Sequence, residues 1–64
     1  MEAIKEREQV LKKAVKENDL LLEFSMRKSL ILRATRVIIV NNGKDVALQE
    51  QMQNLVAEQT QALR

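Results

Sequence analysis

The segment from Leu20 to Val40 constrains this chain most, because a helix drawn through it is apolar on nearly every side. Its apolar residues fall into three stripes, which are Leu22, Met26, Leu30, Ala34 and Val37; Leu20, Phe24, Ile31 and Ile38; and Leu21, Leu32 and Ile39. A helix that is apolar on several sides is buried on several sides. The segment is therefore predicted to form the core of whatever the protein assembles into.

Charged side chains within the same segment exclude a membrane span. They are Glu23, Arg27, Lys28, Arg33 and Arg36. Each charge at a bilayer centre costs about 2.5–3.5 kcal/mol on the insertion scale. The charged N-terminal sequence also lacks the apolar region of a secretory signal. We therefore expect an intracellular, cytoplasmic protein without a membrane partner.

Chain length and composition together indicate a macromolecular partner. The 64 residues are enough for one domain, residues 1–64. Domains this small usually need a disulfide, a metal or a partner chain in addition to their own core. The sequence contains no Cys and no His, which excludes disulfides and removes the usual zinc ligands. We expect a homo-oligomer, a complex with another helical protein, or both.

Residue usage predicts helices at both ends of the chain. There is no Pro and only one Gly. Residues 2–17 are mostly strong helix formers, and residues 46–63 repeat apolar side chains on one face with a Gln-rich back. Asn41-Asn42-Gly43 predicts a helix end, because Asn and Gly tolerate the left-handed conformation. Asp45 suits the N-cap of the helix that follows, with Lys44 as the alternative boundary.

The fold that these signals favour is an all-α helical hairpin. Neither Gly nor Pro marks a break at Asn18-Asp19, so one long helix over about 2–40 is expected to fold back against a short helix over about 45–63. Such hairpins would pair into a dimeric or higher-order helical bundle with coiled-coil packing. Because Asn and Asp are good N-caps, the alternative is a second helix that begins at Asp19, which gives a three-helix bundle.

A further alternative is a β-hairpin across residues 37–48. Val37–Val40 is rich in β-branched residues, and Asn42-Gly43 is a favoured hairpin turn. A lone two-stranded hairpin is marginal in water, so it would pair with the hairpin of a second chain. The fold would then be a helix–hairpin–helix α+β dimer.

The residue types needed for most enzyme mechanisms are missing. Without His or Cys there is no usual base or nucleophile at neutral pH, and a single Gly cannot form a phosphate-binding loop. Ser25 and Ser29 have no base near them in the sequence. We expect no catalytic residue, no cofactor, no metal-binding residue and no small-molecule substrate.

The expected function is non-catalytic protein–protein interaction or assembly, as an adaptor or structural protein. A partner chain is predicted to bury Leu21, Phe24, Leu30, Ile31, Val37 and Ile38. Asn18 and Gln59 lie near the predicted contact surfaces. Each is expected either to fix the register of the assembly or to be a cap or an exposed residue.

A small oligomeric nucleic-acid-binding regulator is the alternative function. Residues 26–44 carry five cationic side chains and no acid. The predicted phosphate contacts are Arg27, Lys28, Arg33 and Arg36, which a dimer would double. Arg27 lies well round the helix from Arg33 and Arg36, and no aromatic side chains are available for base stacking beyond Phe24. The competing interpretation is that these cations pair with acids of a neighbouring chain.

Overall fold

The computed structural model describes residues 2–63, except for the side chain of Glu2. These residues form three α-helices: α1, Glu2–Lys16; α2, Leu20–Asn41; and α3, Val46–Ala62. Helix α2 packs against both α1 and α3, and no strand occurs within the described range. The all-α prediction is therefore confirmed, in the form of the three-helix bundle.

The prediction of one continuous helix over about 2–40 is wrong, because the chain turns at Asn18. Asn18 has a φ of 56° and its N–H donates to the Val15 carbonyl at 3.2 Å, while the Asp19 N–H donates to the Ala14 carbonyl at 2.9 Å. These two bonds form the Schellman motif that ends many helices. Asn takes the place that Gly usually fills, since its short polar side chain tolerates the left-handed conformation.

Asp19, the next residue, is the N-cap of α2. The Asp19 carboxylate accepts a hydrogen bond from the Leu22 N–H at 3.1 Å, which satisfies a donor that has no partner within the helix. The end of one helix and the cap of the next therefore stand side by side. Two adjacent polar residues are enough to reverse the chain without Gly or Pro.

The β-hairpin across residues 37–48 is also wrong, because α2 continues through Val40 to Asn41. Asn42 then adopts the left-handed conformation, with a φ of 46°, and the φ of Gly43 is 76°. The Asp45 carboxylate accepts from the Leu48 N–H at 3.2 Å and caps α3 as predicted. Helix propensity penalises β-branched residues by only a fraction of a kcal/mol each, so the packing of Val37 and Ile38 against the core outweighs the penalty here.

The core lies where the three helices meet. Leu30 and Met52 are its largest fully buried side chains, and Ile4, Leu11 and Ala34 complete the cluster. Burying a Leu or Met side chain contributes about 1.5–3 kcal/mol. A single chain therefore provides its own core for the central stripe of α2.

Polar contacts fix α1 and α3 against α2. The Arg7 Nε donates to the Ser29 Oγ at 2.6 Å between α1 and α2. The Asn41 Nδ2 donates to the Gln49 Oε1 at 2.7 Å between α2 and α3. Because such bonds require one alignment of each pair, they select the register of the bundle.

Candidate functional site

The side of α2 that faces away from the other two helices carries exposed apolar side chains. Leu21 is 82% exposed, Leu32 is 62% exposed and Ile39 is 70% exposed. At 100° per residue these three positions lie within about 20° of one another around the helix. They therefore form a single stripe that neither α1 nor α3 covers.

Polar residues complete this stripe into a heptad pattern, here named the outer seam. Its members are Leu21, Ser25, Lys28, Leu32, Thr35 and Ile39, and all of them are exposed. Their spacing alternates between four and three residues, which is the spacing of the contact positions in coiled coils. Three of the six positions are apolar, so the seam presents a partly apolar surface on which another helix could pack.

The two borders of the outer seam differ in chemistry. One border, the apolar flank, consists of Leu20, Phe24, Ile31 and Ile38. The other, the polar flank, carries Ser29, Arg33 and Arg36, and the apolar Leu22 and Val40 lie on the same side of the helix. On the apolar flank, Phe24 is 51% exposed and the Lys28 Nζ lies 5.4 Å from the centre of its ring. That distance allows a cation–π contact between the seam and this flank.

The residues predicted for a protein interface divide between the core and the surface. Leu30 is fully buried within the chain, so a partner cannot reach it. Val37 and Ile38 are half-buried and pack against the core, and Ile31 is half-buried. Leu21 and Phe24 are exposed.

Leu32 and Ile39 belong to the exposed stripe but were not among the predicted interface residues. The signal for them was present, because they share a helix face with Leu21 in the sequence. The pattern of the segment does not distinguish this face from the two others. Only the positions of α1 and α3 identify it as the free one.

The structure also separates the four predicted nucleic-acid contacts. The Arg27 Nη2 lies 3.2 Å from the Glu23 Oε2, and its Nη1 donates to the Gln59 Oε1 at 2.7 Å. Arg27 is therefore used within the chain, and Lys28 lies over the Phe24 ring. Arg33 and Arg36 remain exposed on the polar flank.

Arg33 and Arg36 border an open groove of about 500 Å³ at the C-terminal end of α2. Lys44 is the third cation of its rim, and the apolar lining residues are Val37, Val40 and Leu48. The ion pair found within residues 2–63 joins Arg27 to Glu23. The three cations of the rim therefore have no acidic partner among the described residues. The groove presents positive charge around an apolar floor.

A second, smaller cavity of about 260 Å³ lies between α1 and α3. Glu8 and Glu58 line it, and both are exposed. Across the part of the chain that the structure describes, no group of three or more His, Cys, Asp or Glu residues is placed to hold a metal ion.

Geometry is what identifies the outer seam and the groove as candidate sites. Among the helices of residues 2–63, none combines the length and the apolar character needed to cross a bilayer. No known family model matches this chain, and no curated protein or solved structure is significantly similar to it.

Proposed function

We propose that this protein is a non-catalytic assembly module that binds a second copy of itself through the outer seam of α2. The observation that carries the proposal is the exposure of Leu21, Leu32 and Ile39, between 62% and 82%, on one stripe of a folded bundle. Single exposed apolar residues are ordinary, but an aligned row marks an interaction surface. Covering each of these side chains contributes about 1.5–3 kcal/mol.

The seam fits a helical partner better than a partner of another kind. Side chains at alternating spacings of four and three residues insert between those of a facing helix with the same pattern. A second copy of the chain presents such a helix. Symmetric pairing of one surface with itself also closes after two copies, as in the common two-fold dimers.

The size of the seam predicts how tightly the copies bind. The outer seam and the apolar flank contribute about ten side chains per copy, against roughly 20–30 per side in a standard interface. Association also costs several kcal/mol of lost translational and rotational freedom. We therefore expect a dimer that dissociates on dilution rather than an obligate one.

Solution mass tests the proposal. Light scattering over a dilution series should give a dimer at high concentration that shifts toward monomer at low concentration. Leu32→Asp should give a monomer throughout, with an unchanged helical circular dichroism spectrum, because Leu32 lies outside the core.

Ala57→Asp is the matched control, since Ala57 is exposed on α3, a helix that carries no residue of the outer seam. It should dimerise like the original chain. A monomeric mass for the original chain even at millimolar concentration would overturn the proposal. So would a Leu32→Asp variant that dimerises normally.

The rim of the groove favours a second candidate function, a small oligomeric nucleic-acid-binding regulator. Arg33, Arg36 and Lys44 surround one groove and have no acidic partner within residues 2–63. Cations placed together can displace counterions from nucleic acid phosphates. Assembly is the leading proposal because it rests on the exposed stripe of Leu21, Leu32 and Ile39, whereas the groove has an apolar floor that phosphates do not need.

A further inference from the structure

We infer that the two α2 helices of the dimer pack antiparallel, about a two-fold axis level with Leu30. The inference rests on the proposed function and adds the orientation of the two copies. Orientation matters because it decides which borders of the outer seam meet. It also decides where the exposed arginines of the two copies lie.

The outer seam is symmetric about Leu30. In an antiparallel pair, Leu21 comes level with Ile39 of the second copy, and Ser25 comes level with Thr35 of the second copy. Lys28 comes level with Leu32 of the second copy, where its alkyl stem can cover the Leu side chain. The spacing thus matches apolar with apolar at the two ends of the seam and hydroxyl with hydroxyl next to them, while the central pairs join Lys28 to Leu32.

The flanks decide between antiparallel and parallel packing. A two-fold axis perpendicular to the helices brings each flank against the same flank of the second copy, whereas an axis along the helices brings opposite flanks together. Antiparallel packing therefore places Phe24 and its apolar neighbours against the apolar flank of the second copy. Parallel packing would place them against the polar flank, which carries Ser29, Arg33 and Arg36.

The arginines are also spaced apart by this arrangement. With the axis level with Leu30, Arg33 is offset from Arg33 of the second copy by about 9 Å along the helices, at 1.5 Å per residue. The corresponding offset for Arg36 is about 18 Å. The exposed cations of both copies then follow one another along one side of the dimer, at distances where repulsion in water is weak.

Cysteine cross-linking tests the orientation, and the chain has no Cys of its own to interfere. Ser25→Cys and Thr35→Cys change exposed polar positions and leave every apolar seam residue in place. The two variants should be oxidised separately and as a mixture. Antiparallel packing predicts efficient disulfide formation between the two different variants in the mixture, and little within Ser25→Cys alone, whose Cys residues would be about 15 Å apart along the helices.

Ala57→Cys serves as the control for random collision and should cross-link at the background rate. Efficient cross-linking of Ser25→Cys with itself would overturn the antiparallel orientation but leave dimerisation intact. A dimeric mass without cross-linking above background in any sample would also overturn the inference. A monomeric mass in every sample would remove the proposed function itself, so the two failures are distinguishable.

Discussion

Arg27 and Gln59 join α2 to α3: the Arg27 Nη1 donates to the Gln59 Oε1 at 2.7 Å. Glu23 lies on the other side of the guanidinium, 3.2 Å from the Arg27 Nη2, and Gln59 is only 8% exposed. Gln59 is thus the buried polar residue of the two that the sequence singled out, whereas Asn18 terminates a helix. The hydrogen bond between Arg27 and Gln59 shows that the Arg27 guanidinium links two helices of the bundle.

Removing the Gln59 amide should weaken the bundle. Gln59→Leu keeps the side-chain size but leaves a partly buried guanidinium with one acceptor fewer, so we expect the free energy of unfolding to fall by about 1–2 kcal/mol. Urea unfolding followed by circular dichroism measures this. Gln61→Leu, at an exposed position of the same helix, should change stability by less than about 0.5 kcal/mol. Equal effects of the two substitutions would contradict the structural role of Gln59.

The left-handed residue between α1 and α2 gives a second prediction. Asn18→Ala should lower the free energy of unfolding by about 1 kcal/mol, because Ala is strained at the observed φ of 56°. Asn18→Gly should be close to neutral, since Gly adopts this conformation freely. Thermal or urea unfolding of both variants distinguishes them. An Ala variant more stable than the Gly variant would mean that the first two helices are continuous.

Truncation of Leu30 should destabilise the fold, whereas truncation of Leu32 should weaken the dimer. Leu30→Ala removes a fully buried side chain and should cost about 2–5 kcal/mol, much of the total stability of so small a domain. Leu32→Ala should leave the unfolding of the monomer nearly unchanged and shift the dimer toward monomer. Circular dichroism and light scattering on the same samples separate the two effects. Loss of helix in the Leu32 variant would place that residue in the core instead.

The second candidate function predicts nucleic-acid binding that depends on the rim of the groove. Arg33→Ala combined with Arg36→Ala should abolish or strongly weaken a low-salt mobility shift with DNA or RNA, and should reduce the salt dependence by about two released counterions. Lys12→Ala combined with Lys13→Ala removes the same charge from exposed positions of α1 and is the control. Equal losses in the two double variants would indicate a non-specific charge effect. No shift for the original chain would end this candidate function.

Local signals account for the parts of the fold that could be predicted. Helix formation in all three segments, the helix end at Asn41–Gly43 and the cap at Asp45 depend on residues close together in the sequence, and they are confirmed. The turn at Asn18 carried the same kind of signal. It predicts a helix break only as the alternative, because Asn can stand either inside a helix or at its left-handed end, and the sequence contains no Gly there to decide.

Which residues of α2 share a face follows from the order of the side chains along the chain. Periodicity alone separated the stripe of Leu30 and Ala34 from the stripe of Leu21 and Ile39. Which stripe becomes core and which stays in water depends on where α1 and α3 lie, and residues far along the chain decide that through contacts such as Arg7 with Ser29. A repeat within one helix cannot encode that choice, because burial is a property of the whole set of packed helices.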